Sequence, residues 1–138
     1  MASYNPVPRT LWDLKSSGLG TTLSVSGNSG TTLIDLLDVT DVWLSLWVAG
    51  TPTGTTPTLA AQLDVQDPDG NWFTALAKTT TVNTTASGAS AVAGLHMPTA
   101  ASGSAAVSWP LPRWCRVAWV LAGTTPVFPG VSLCLTGR

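Results

Sequence analysis

The sequence predicts an all-β protein: an antiparallel β-sandwich of jelly-roll type, with an Ig-like sandwich as the runner-up, preceded by an extended N-terminal arm. Three observations point there. Short alternating apolar runs, about eight in all, recur between breaks rich in Gly, Pro and Thr. Every acidic residue is Asp, a turn and strand-end residue, and the helix-favouring Glu is absent. No segment carries apolar residues at helical spacing. The length of 138 residues suits one domain, and 44% hydrophobic content is enough for its core.

Residues 1–14, "MASYNPVPRTLWDL", contain Pro6 and Pro8 and end in an apolar patch at Leu11, Trp12 and Leu14. Proline fixes φ and disfavours helix in the residue before it, so this segment is expected to be an extended arm that docks on a neighbour. Residues 15–138 are expected to form the single sandwich domain. Its first strands are "TTLSVSG", with Leu23 and Val25 sharing a face, then "TTLIDLLDV". "DVWLSLWVAG" follows, where alternation places Val42, Leu44, Leu46 and Val48 on one side and Trp43, Ser45 and Trp47 on the other. Both sides are apolar at the large residues, so the Trp side needs a cover from the arm, a loop or another subunit.

"TPTGTTPT" reads as a connection, because Pro52 and Pro57 do not suit a central strand and Gly54 permits a tight turn. "LAAQLDV" directs Leu59, Ala61, Leu63 and Val65 inward, "DPDGN" is a turn, and "WFTALA" returns, so residues 58–77 form a hairpin. Residues 78–107 are low in complexity, poor in large side chains, and are expected to be a long excursion with one or two weak strands. "RWCRVAWVLAG", "TTP" and "VFPGVSLCLTG" read as a closing hairpin with Cys115, Val117, Trp119 and Leu121 on one face. The two "GTTP" breaks would then form similar loops at one end of the sandwich.

Composition excludes several functions. Only 9% of residues are charged, against an average of about 25%, and the net charge is −1. Six Lys and Arg against seven Asp leave no basic stripe for nucleic acid; only Arg113 and Arg116 lie close together. No run approaches the roughly 18 apolar residues of a membrane-spanning helix, and "MASYNPVPRT" lacks the pattern of a secretory leader, so the chain is expected to be made and kept in the cytosol unless it leaves inside a larger assembly. Cys115 and Cys134 are too few for a disulfide framework and have no metal spacing; they read as small buried apolar groups.

No catalytic constellation emerges. His96 is the only histidine and has no Ser, Cys or Asp partner at a recognisable spacing. Asp67 and Asp69 are accounted for by the "DPDGN" turn, and a calcium loop counted from Asp67 would place Trp72 and Lys78 where it needs Gly and an acid. Asp35, Asp38 and Asp41 would be scattered over two strand faces. The expectation is a non-enzymatic protein without a cofactor or metal. Seven Trp against one Tyr and two Phe is the compositional anomaly. Trp43, Trp47, Trp72, Trp109, Trp114 and Trp119 fall in or beside strand-like runs, where they serve as core or interface anchors, or, if exposed, as a sugar-stacking platform.

The order of "WVAGTPTGTTPTLAAQLDVQDPDGNWF", a Thr/Ala/Gly-rich stretch and "RWCRVAWVLAGTTPVFPGVSLCL" resembles small virion structural proteins of tailed bacteriophages. The resemblance rests on "GTTPTL" before a strand, Asp69-Gly70 before an aromatic pair, and Arg113, Arg116 and Val117 leading to a second "GTTP". It implies a β-sandwich that coats or joins parts of a phage particle, foremost a capsid decoration (cement) protein. The alternatives are a tail or head–tail junction protein and, in a different class, a carbohydrate-binding module using exposed Trp. The decoration reading makes the major capsid protein of the same phage the partner, with no nucleic acid and no membrane, and locates the chain in the virion, assembled in the host cytoplasm. A homo-oligomer is expected, with a trimer favoured, because decoration sites lie on local symmetry axes. The residues expected to meet the partner are Tyr4, Leu11, Trp12, Trp43 and Trp47.

Overall fold

The structure is a computed structural model that describes residues 7–79, 81–82, 89–96, 99–100, 108–109 and 112–138; for 75–77, 89–96, 99–100 and 108–109 it describes the backbone alone. In chain order the elements are β1 (Arg9–Asp13), a 3-10 turn η1 (Lys15–Ser17), β2 (Gly27–Asn28), β3 (Ile34–Asp35), β4 (Asp41–Val48) and β5 (Thr53–Gln66). They continue with β6 (Trp72–Lys78), β7 (Ala89–His96), β8 (Thr99–Ala100), β9 (Ser108–Trp109), β10 (Trp114–Val127) and β11 (Val131–Gly137). Two antiparallel sheets make an all-β sandwich. Sheet I has the order β1-β11-β4-β7; sheet II has the order β2-β10-β5-β6, with β3 also pairing with β10. β8 and β9 pair only with each other.

Alternation explains the core. Val42, Leu44, Leu46 and Val48 of β4 and Val131, Leu133 and Leu135 of β11 point inward from sheet I. Leu59, Ala61, Leu63 and Val65 of β5 and Cys115, Val117 and Trp119 of β10 meet them from sheet II. Phe128, Leu14, Leu23, Leu36 and Val39 fill the ends. The Asp67 turn forms as its chemistry requires. Asp67 Oδ1 accepts from the backbone N–H groups of Asp69 at 2.9 Å and Asn71 at 2.8 Å, and Gly70 takes φ 89°. β5 and β6 are therefore the expected hairpin, with Gln66 opposite Trp72.

The two "GTTP" segments do not form loops. Each lies within a 14-residue strand, residues 54–57 at the start of β5 and 123–126 near the end of β10, and they pair antiparallel with one another through Thr55 opposite Thr124, with register shifts on either side. Gly54 and Gly123 adopt φ 110° and 107°, and Thr56 and Thr125 adopt φ 47° and 46°, so the two segments have nearly equal geometry about a local two-fold axis. Only glycine fits: a Cβ on Gly54 would lie 2.6 Å from Thr125 O, and one on Gly123 would lie 2.6 Å from Thr56 O. The expected turn is thus a matched pair of bulges in a ribbon.

The closing hairpin is also corrected. β10 pairs with β5 in sheet II, whereas β11 pairs with β4 in sheet I. β4–β5 and β10–β11 are the two strands of one long ribbon that folds over at Ala49–Pro52 and Phe128–Gly130. There Ala49 N–H donates to Gly130 O at 2.9 Å and Gly50 N–H to Pro129 O at 3.1 Å. Proline and glycine interrupt the pairing at this corner, and the chain changes sheet instead of turning back.

Three further expectations change. Residues 9–14 belong to the sandwich: β1 pairs with β11, Leu14 is fully buried, and Leu11 and Trp12 pack on their own core, so this part of the arm is not available to dock on a neighbour. Val25 is 72% exposed while Leu23 is buried, because "TTLSVSG" provides only a single bridge, Leu23 to Phe128, before β2. Ala89–His96, within the expected excursion, is a full strand paired with β4 from Asp41 opposite His96 to Val48 opposite Ala89. Five of its eight residues are Ala, Ser or Gly, and a strand poor in large side chains can still complete a sheet by backbone hydrogen bonds.

Candidate functional site

The outer face of sheet I carries two exposed indoles that alternation places there. With Leu44 and Leu46 inward, Trp43 and Trp47 project outward and remain 53% and 48% exposed. Four residues apart along a strand, they are separated by about 13 Å. Register places Thr136 opposite Trp43, Cys134 opposite Ser45 and Ser132 opposite Trp47 on β11, and Gly94, Val92 and Ser90 opposite the same three on β7. No charged residue occupies these positions. Charges lie at the margins: Asp13 stands opposite Cys134 on the β1 edge, and at one end of the face Arg138 Nε donates to Asp41 Oδ2 at 2.8 Å.

Of the five residues expected to meet a partner, Trp43 and Trp47 lie together on this face. Leu11 and Trp12 lie at the far edge of sheet I, half-buried, with Trp12 stacked on Trp119 at a ring separation of 6.4 Å. Tyr4 lies outside the described residues. Beside Trp12 is a shallow groove of about 250 Å³ lined by Thr10, Leu11, Trp12, Asp13, Ser16 and Ser17. Its carboxylate is already occupied: Ser16 N–H and Ser16 Oγ donate to Asp13 at 2.8 and 3.0 Å, and the backbone bond holds its pKa below the usual value of 3.8.

Asp35 and Asp67 also have structural partners. Asp35 accepts from Arg113 Nε and Nη2 at 3.2 and 3.1 Å, which lowers its pKa. Asp67 is lowered chiefly by the Asn71 side chain, whose Nδ2 donates at 3.0 Å. The thiol of Cys115, buried in the core, is pushed up to about 12 by desolvation; Cys115 and Cys134 are both unpaired. Among the described residues no three His, Cys or Asp side chains gather as metal ligands. The side chain of His96 lies outside the described ones.

Sequence reasoning missed a second cluster, on the outer face of sheet II. Asp64 points away from the core yet is only 1% exposed. Arg116 Nε donates to its Oδ2 at 3.1 Å and Gln62 Nε2 to its Oδ1 at 2.8 Å, and the Arg116 guanidinium lies 4.1 Å over the Trp72 ring. The available signal was the polar spacing Gln62, Asp64, Gln66 among inward Leu and Val. Its cation, 52 residues away, could not be assigned without the β5–β10 register.

No known protein family, curated protein or solved structure matches this chain.

Proposed function

We propose that the chain is a non-enzymatic virion structural protein, a decoration (cement) protein that binds the major capsid protein of a tailed bacteriophage and stabilises the shell. One observation carries this reading: Trp43 and Trp47 stand half-exposed on a sheet face whose charges, Asp13 and the Asp41–Arg138 pair, lie only at its margins. A Trp side chain can bury up to about 250 Å², so covering both exposed halves removes roughly 250 Å² from water, worth about 6 kcal/mol. Association costs about 4–15 kcal/mol, so one copy binds weakly and several linked copies bind well. This supports a homo-oligomer, with a trimer favoured, seated on a symmetry axis of the particle. The folded β4–β5/β10–β11 ribbon supports the jelly-roll form of the sandwich.

The test is co-sedimentation with phage particles or shells lacking this protein. Full-length protein should bind, and Trp43→Ser and Trp47→Ser should each weaken binding by about 30-fold, the size of a 2 kcal/mol anchor. Binding to tails or head–tail connectors but not shells would move the assignment to a junction protein. Binding to neither would reject a virion role. Loss of glycan binding in these two variants, with no particle binding, would favour the carbohydrate-binding module.

A further inference from the structure

We propose that the outer face of sheet II, on the opposite side of the sandwich from Trp43 and Trp47, is a binding site for a neutral, hydroxyl-rich oligosaccharide. The inference does not rest on the particle-binding reading. Register sets Trp72, Gln66 and Trp114 in one row across β6, β5 and β10. The two indoles thus flank an amide and stand two strand spacings apart, roughly 10 Å. Both are partly exposed. Beside this row lie Arg116, Asp64 and Gln62, with Arg116 4.1 Å over Trp72 and Arg113 4.7 Å over Trp114, so a guanidinium lies over one face of each ring.

The charge arrangement selects the ligand. Arg116 is neutralised by Asp64, and Arg113 by Asp35, so neither cation recruits an anion. A buried ion pair adds little to stability compared with apolar residues in its place, but it fixes where its remaining donors point. Arg116 uses only Nε on Asp64, and its two terminal nitrogens, with 23% of the side chain exposed, have no hydrogen-bond partner among the described residues. Neither do the indole N–H groups of Trp72 and Trp114. Gln62 and Gln66 commit their amide nitrogens, to Asp64 at 2.8 Å and Gly70 O at 3.1 Å, which leaves their carbonyl oxygens as acceptors. Fixed donors and acceptors in alternation beside aromatic rings suit hydroxyl groups, which do both, and ring C–H faces, which stack. Lys78, opposite Gln62 at the rim, is the one cation here outside an ion pair among the described residues.

The experiment titrates full-length protein with neutral oligosaccharides (gluco-, manno-, galacto- and xylo-hexaoses) and with an acidic one, oligogalacturonate, following Trp fluorescence and calorimetry. At least one neutral sugar should bind saturably and with little dependence on salt. Trp114→Ala and Gln66→Ala should each weaken it about tenfold or more, whereas Trp43→Ala on the other sheet should leave it unchanged; far-ultraviolet dichroism checks that each variant is folded. Gln66→Ala keeps the test usable if Trp114→Ala does not fold. No binding to any neutral sugar, equal loss in Trp43→Ala, or binding confined to the acidic sugar and removed by Lys78→Ala would each overturn the proposal. Particle co-sedimentation by the Trp114→Ala protein separates failure here from failure of the capsid reading.

Discussion

Replacing Gly54 or Gly123 by Ala tests the paired-bulge ribbon directly. In both places the new Cβ would meet backbone at 2.6, 2.8 and 3.0 Å, which no flexible side chain can relieve. Backbone held at φ 110° or 107° costs a non-glycine residue about 1–3 kcal/mol. Overpacking against a fixed backbone adds about 1–3 kcal/mol, and a stiffer unfolded chain offsets about 0.4–1 kcal/mol. The expected net loss is about 2–5 kcal/mol for each variant, and the two losses should agree within about 1 kcal/mol because the environments match. Gly18→Ala is the control: φ is 78° but nothing lies within 4 Å, so it should cost only about 1–2 kcal/mol. Urea unfolding followed by Trp fluorescence gives all three values. If Gly54→Ala or Gly123→Ala lies within about 0.5 kcal/mol of the parent, or the two differ by more than about 2 kcal/mol, the matched ribbon geometry is wrong.

Four other outcomes are expected. Asp64→Ala, which strands Arg116 on the sheet, should cost about 2–4 kcal/mol in urea unfolding, and Asp64→Leu combined with Arg116→Met should recover most of it. Leu14→Ala should cost about 2–5 kcal/mol, and deletion of residues 2–12 should lower the melting temperature even without any partner, because β1 is part of sheet I. Asp13, Asp35 and Asp67 have folded pKa values below the ordinary 3.8, so their stabilisation is complete above that value and is lost as pH falls through the lowered ones. The melting temperature should therefore be level down to about pH 5 and fall below it, with a shallower fall in Asp67→Asn. With its thiol pushed up to about 12, Cys115 should resist iodoacetamide at pH 8 in the native protein and react in urea, as peptide mapping would show.

What could be read from the sequence was whatever a single strand dictates by itself. The in–out pattern of β4 and β5 and the Asp67 turn follow from residues within a few positions of each other, and the structure has them as expected. Where pairing across the chain decides, local signals misled. "GTTP" has the same composition whether it turns or bulges, and the choice is made by the second copy, which pairs with it. Local signals put the closing turn at 124–126, whereas β10 runs on to Val127 and breaks at Pro129 and Gly130; that β11 then joins β4 is a property of sheet I. β7 is mostly Ala, Ser and Gly, with Val92 and Leu95 its only larger apolar residues, so it offered at most the signature of a weak strand. The outward placement of Trp43 and Trp47 could be read because they share β4 with a clear core stripe. Arg116 and Trp72 were not, because their meeting depends on three strands.

The placement of β10 and β11 has a kinetic consequence. Each is an interior strand, β10 between β5 and the β2–β3 edge and β11 between β1 and β4, although both come late in the chain. During synthesis the β5–β6 hairpin can form early, but β1, β2, β3 and β5 wait for their β10 or β11 partner until residues beyond 113 have left the ribosome. Pairing at such sequence separation requires closing long loops first, which places folding in the range of about milliseconds to seconds rather than microseconds. Throughout that interval the apolar stripes of β4 and β5 have bare edges, and a net charge of −1 gives nascent chains almost no mutual repulsion. Yield in the cell should therefore respond to temperature and translation rate more steeply than the stability of the finished sandwich would suggest.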